Sequence, residues 1–129
     1  METLELRLKV IQMLTFGKTQ IGENFYSTFD IDFVTVNPYL GIDSIKPFIE
    51  DCKKYCKGVF ILVKTSNKSS GELQDLKLED GKTVYEKVAE MTNTWGEELM
   101  GENGYSSIGA VVGATYRKTN RRIKRNNAK

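Results

Sequence analysis

Residues 58–67 read GVFILVKTSN. An unbroken glycine-and-apolar run from Gly58 to Val63 gives way to Lys64, Thr65, Ser66 and Asn67. A run this short, apolar and β-branched fits a strand covered on both faces, the situation of strands in a parallel sheet. Two other stretches read the same way, residues 31–36 (IDFVTV) and residues 107–114 (SIGAVVGA). Helical patterns lie between them. Asp43 or Ser44 is placed to cap a helix running to about Cys56, with Ile45, Phe48, Ile49 and Cys52 at core-facing spacing and Pro47 in the first turn. A second helix is predicted from about Lys82 to Leu99, with Val84, Val88, Met91, Trp95 and Leu99 as its apolar stripe. Strand, helix, strand, helix, strand is the signature of βαβ units, which require a parallel sheet and right-handed crossovers.

In such sheets the polar residues at the C-terminal ends of the strands face the ligand side. Those positions hold Asn37, then Thr65, Ser66 and Asn67, then Thr115. The same residues could instead cap the helices that follow. Residues 67–81 contain Ser69, Ser70 and Gly71 and fit a long, mobile loop beside a site.

Composition narrows the chemistry. The 129 residues are enough for one core, with 40% hydrophobic and 28% charged residues. There is no histidine, which excludes Ser-His, Cys-His and His-metal arrangements. Cys52 and Cys56, four apart, are too few ligands for a structural zinc site and read as reduced, partly buried thiols. No metal or cofactor is expected. No apolar run approaches the roughly 20 residues of a membrane span. The opening METLELRLKV carries acids early and has no small-residue cleavage site, so a cytoplasmic protein is expected. Seven of the 19 basic residues fall in residues 117–129, where there is no acid, so the remainder carries 12 basic against 17 acidic residues. A basic tail can mark nucleic-acid binding, but this one has no aromatic residue to stack a base, so a nucleic-acid partner is not the favoured reading.

DFVTVNPYLGIDSIKPFI, GVFILVKTSN and SIGAVVGATY occur in this order at βα spacing. Together they resemble the longer bacterial branch of orotidine 5'-phosphate decarboxylases, over about residues 18–116. The resemblance implies an α/β fold, part of a (β/α)8 TIM barrel, with about three parallel strands that would be the fourth to sixth. It implies a small-molecule substrate, orotidine 5'-phosphate, converted to UMP and carbon dioxide, and a homodimeric intact enzyme. Ser66 matches the family's serine that hydrogen-bonds the pyrimidine. Asn37 and Thr115 are assigned to the substrate site by strand-end position alone. Lys64 does not match the family's catalytic lysine and reads as a solvated or helix-facing side chain.

The family's chemistry uses alternating Lys and Asp residues in a motif of the type D-x-K-R-G-D-I-G, where electrostatic preorganisation does most of the work. Neither that motif nor the later P-G-x-G-A-Q-G phosphate loop occurs in the sequence. No catalytic residue is therefore assigned, and the chain alone is expected to be inactive. One permitted set of codons for METLELRLKVIQMLTF, read from the third base, gives GDIGATAKGYSNAYF, the tail of the catalytic motif. RKTNRRIKRNNAK likewise shifts into EKLIEELKEIMPK. Residues 1–17 thus read as an aberrant or divergent helix, 18–116 as the partial barrel, and 117–129 as a basic tail out of frame. Two rival readings stand beside the family one: a small nucleic-acid-binding module using that tail, and a half-barrel completed by a separate chain. Either way, an open piece of barrel should expose sheet edges and inward-facing residues, either Val34, Val36, Ile61, Val63, Val111 and Val112 or their alternating neighbours.

Overall fold

The computed structural model describes the strand at residues 10–13 and then residues 31–114. Four parallel strands lie side by side in sequence order: β1 (Val10–Met13), β2 (Phe33–Val36), β3 (Gly58–Lys64) and β4 (Ile108–Val112). Two long helices, α1 (Ile42–Tyr55) and α3 (Val84–Glu97), make the crossovers from β2 to β3 and from β3 to β4. A single turn of helix, α2 (Gly71–Gln74), precedes α3. The three expected strands are present and parallel, with Val34 opposite Val59 and Ile61 opposite Ala110.

β1 is a difference from the sequence reading, which gave residues 1–17 to a helix. Val10 to Met13 instead pair in parallel with Phe33 to Val36. β2 would otherwise present an unpaired row of backbone N–H and C=O groups, and the β-branched start of VIQM suits an extended partner. The rest of residues 1–17 lies outside the described residues.

One face of the sheet is covered. Ile45, Phe48, Ile49 and Cys52 of α1 are buried, as their spacing predicts, and cluster with Ile31, Val34, Val36, Val59, Ile61 and Ile108. Each fully buried aliphatic side chain stabilises the fold by about 1.5–3 kcal/mol relative to exposure. The helix begins at Ile42 and is capped by Gly41 rather than by Asp43 or Ser44, with Gly41 at φ 75°, a left-handed conformation that favours glycine. Ser44 Oγ donates back to the Gly41 carbonyl at 2.8 Å. Pro47 therefore falls in the second turn, where the Asp43 carbonyl loses its helical partner. Asp43 is exposed, so water can take its place.

α3 presents a different stripe from the one the periodicity suggested. Tyr85, Ala89, Thr92 and Gly96 are buried, while Val88, Trp95 and Leu99 pack only at the margin. The buried face is turned by one residue, about 100°. Small residues decide it. Gly96 lies so close to the start of β4 that a Cβ there would stand 3.1 Å from Ser106 Oγ, just before the strand, and 3.7 Å from Ile108 Cβ within it, and Ser106 Oγ donates to the Gly96 carbonyl at 2.8 Å. The helix starts after Thr83, whose N–H donates to Glu86 Oε2 at 2.9 Å in a capping box.

The opposite face carries the alternating neighbours. Phe33 and Phe60 lie with ring centroids 5.2 Å apart, each over a glycine of the next strand, Gly58 and Gly109 respectively. Phe33, Phe60, Leu62 and Val111 are only partly buried. The choice left open by the sequence is divided: Val34, Val36, Ile61, Val63 and Val112 lie on the helix side, while Val111 lies with Phe33, Phe60 and Leu62 on the side that no described helix covers.

Candidate substrate-binding site

β3 ends with a register shift between Leu62 and Lys64, so the strand's last residue is turned relative to a regular pleat. Lys64 is only 1% exposed. Its Nζ donates to Asp75 Oδ1 at 2.8 Å and lies 3.4 Å from Ser70 Oγ and 5.5 Å from the centre of the Tyr85 ring. Of the two readings offered for Lys64, the helix-facing one holds. It is not solvated. A buried ammonium is tolerable only with a close carboxylate and further hydrogen bonds, and both are supplied by the segment that follows.

The next residue is tied to the same segment. Thr65 N–H donates to Gln74 Oε1 at 2.9 Å, and Gln74 Nε2 donates to Thr65 Oγ1 at 2.8 Å. Residues 67–81, expected to be a mobile loop, instead hold a 3-10 turn (Lys68–Ser70) and α2, and an antiparallel bridge joins Lys77 to Thr83 just beyond. The interactions that order it come from polar residues far apart in sequence, which local composition could not reveal.

Ser66 follows directly and is exposed. Among the described residues no group bonds its hydroxyl. Its backbone rests against Gly113 at the end of β4, where an added Cβ would meet Ser66 N at 3.1 Å and Ser66 Cβ at 2.8 Å. Gly113 N–H donates to the Lys64 carbonyl at 2.8 Å, which closes the two strand ends together. The result is a serine at the C-terminal edge of the sheet whose hydroxyl has no bonding partner among the described residues, suited to donating to or accepting from a ligand.

Asn37 is used locally. Its Oδ1 accepts from Tyr39 N–H at 3.1 Å, capping a 3-10 turn (Pro38–Leu40). It also borders a largely apolar groove of about 380 Å³, shared with Thr65, Gln74, Val84, Val88 and Met91. Ser66 does not line that groove, so the structure does not bring Asn37 and Ser66 into one cavity. Thr115 lies outside the described residues. A second cavity, of about 510 Å³, sits at the opposite, N-terminal end of the strands, around Phe33, Gly58 and Tyr105 and the Lys57–Asp32 ion pair. Cys52 is buried and Cys56 is exposed at the end of α1. Among the described residues no group of three or more His, Cys, Asp or Glu is placed to hold a metal ion, and no helix is long and apolar enough to cross a membrane.

A parallel sheet in sequence order, with helices on one face and polar strand ends, is part of a (β/α)8 barrel. The chain belongs to the Orotidine 5'-phosphate decarboxylase / HUMPS family, which it matches over residues 19–129. It is 51% identical over 108 residues to the orotidine 5'-phosphate decarboxylase of Caldicellulosiruptor saccharolyticus, a match covering 84% of this chain and 35% of that protein. The orotidine 5'-monophosphate decarboxylase of Plasmodium berghei superposes with a TM-score of 0.73 at 25% identity, over 92% of this chain and 39% of that one. The OMP decarboxylase of Leishmania donovani gives 0.62 at 38% identity, over 80% and 37%. The chain thus spans about 35% of the length of the curated relatives it matches.

Proposed function

We propose that this chain carries the pyrimidine-facing part of an orotidine 5'-phosphate decarboxylase site, without the decarboxylating centre. The observation that carries the reading is Ser66: an exposed hydroxyl, unbonded among the described residues, fixed at the C-terminal end of a barrel strand. In that role Ser66 exchanges a hydrogen bond with the base of orotidine 5'-phosphate or UMP. Asn37 contributes by shaping the neighbouring strand end, and Thr115 is assigned to the same rim by its place after β4. The whole barrel would work on a small molecule, without a cofactor, in the cytoplasm and as a homodimer.

The 129 residues hold no D-x-K-R-G-D motif, so this reading assigns no residue to disfavour the substrate carboxylate or to protonate C6. Catalytic groups of this kind act as a unit, and removing one costs almost as much as removing all. The isolated chain is therefore inactive as a decarboxylase. Binding tests the reading. Titration of the isotope-labelled chain with UMP should shift the Ser66 amide resonance, and Ser66→Ala should remove that response. A spectrum unmoved by UMP refutes the ligand role of Ser66. Loss of orotate absorbance on incubation with orotidine 5'-phosphate, with host enzyme excluded, refutes the inactive assignment.

Residues 1–17 and 117–129 we read as out-of-frame sequence around an in-frame 18–116. The family match runs on through the tail, so for 117–129 a divergent in-frame helix is the competing account. The coding DNA decides it: an uninterrupted frame whose codons do not permit the shifted readings removes the idea.

A further inference from the structure

We propose that Lys64 and Asp75 are positioning residues for Ser66, a role that rests on the reading of Ser66 as the ligand contact. Two consecutive residues at the end of β3 are bonded to two consecutive residues at the end of α2. Lys64 pairs with Asp75 and Thr65 with Gln74, in antiparallel order, so the intervening turn is closed at its base by adjacent clasps. The outer clasp is a salt bridge whose lysine is 1% exposed and whose aspartate is 51% exposed. The inner one uses both ends of the Gln74 amide. Gly71 brings the turn close to Asp75, since a Cβ there would lie 2.9 Å from Asp75 Oδ2. Ser66 is the first residue inside the clasps, and Gly113 closes it from the other side.

Packing alone does not call for a lysine here. An apolar side chain of similar length would fill the space beside Tyr85 without the cost of desolvating an ammonium, and such replacements of paired charges are often neutral or stabilising. What an apolar pair lacks is direction. A charge-assisted hydrogen bond fixes distance and angle, whereas methyl groups slide. The Lys64–Asp75 bond therefore sets where the chain leaves the strand, and the Ser66 hydroxyl, two residues on, inherits that placement. The pair touches no substrate and acts through Ser66.

The test separates position from stability. Lys64→Met removes one partner and leaves Asp75 unpaired, whereas the double variant Lys64→Met with Asp75→Leu replaces the pair by apolar groups and should regain the urea midpoint of the parent chain. Amide hydrogen exchange is read residue by residue in the full 129-residue protein. In the double variant, residues 65–67 should exchange at least tenfold faster while residues 59–63 keep the parent rate, and UMP affinity should fall at least tenfold. Lys53→Met, which removes an exposed pair with Glu98, should change neither quantity. Unchanged exchange at 65–67 in the double variant overturns the inference, whether or not UMP binds. Should the double variant fail to fold, Asp75→Asn, which keeps the size of the side chain and removes its charge, is read in the same way. A parent chain that does not bind UMP sinks the ligand reading of Ser66 alone, and the exchange rates still decide the pair.

Discussion

The two faces of this sheet are made from the same strands and are in opposite states. On one, Val34, Val36, Val59 and Ile61 are fully enclosed beneath α1 and α3. On the other, Phe33, Phe60, Leu62 and Val111 remain partly open, with two rings laid over two glycines. The helical side is a finished core. The other is the inward face of a barrel, built to be covered by strands and side chains that the described residues do not include. A half-open face retains only part of the stabilisation its apolar area could give.

The contrast predicts very unequal mutational costs. Ile61→Ala, in the closed core with no exposed surface, should lower unfolding free energy by about 2–5 kcal/mol, read from the urea midpoint. Phe60→Ala, one residue away on the open face, should cost under about 1.5 kcal/mol, because its ring is already partly solvated. A loss of about 3–5 kcal/mol at Phe60 would mean that this face is covered in solution, and the comparison between the faces would break.

A gain is expected at the end of α1. Cys56 terminates that helix at φ 53°, a left-handed conformation that costs an L side chain roughly 1–2 kcal/mol. Glycine removes that strain but gives up more chain entropy on folding. Cys56→Gly should stabilise the chain by about 0.5–1 kcal/mol, visible as a rise in Tm. An equal or lower Tm would show that the exposed thiol makes a contact worth more than the strain. Because Cys56 lies outside the core, the gain should be the same in Ile61→Ala and parent backgrounds.

Much of this arrangement was legible from the sequence because it rests on short-range pattern. Short runs rich in apolar and β-branched residues marked β2, β3 and β4, and Ile45, Phe48, Ile49 and Cys52 gave the buried face of α1 directly. The face of α3 was misread by one residue because apolarity pointed to Val88 and Met91, while the deciding feature was the closeness that Ala89 and Gly96 allow. β1 was hidden for another reason: four residues carry little periodicity, and their strand state depends on the edge of β2. At the candidate site, the family resemblance singled out Ser66, whose ligand role is our proposal, whereas the clasp beneath it was not legible. Lys64 and Asp75 are eleven apart, and nothing local tells a lysine at a strand end that it will be buried.

The smallest effect belongs to the outer surface of α3, which provides a baseline for both faces. The Glu90 carboxylate, 2.6 Å from Lys82 Nζ, raises the Lys82 ammonium above its usual 10.5, with Asp80 adding to it. A lysine whose pKa is raised on folding lends stability that is complete below about pH 10.5 and is lost as pH climbs through the folded value. Between pH 9 and pH 11.5 the parent chain should therefore lose slightly more Tm than Lys82→Met. Because Lys82 is well exposed, added salt near 1 M should erase most of that difference. A difference that survives salt would place this pair in a drier setting than the surface of a covering helix, and the division into one sealed face and one open face would need a third region.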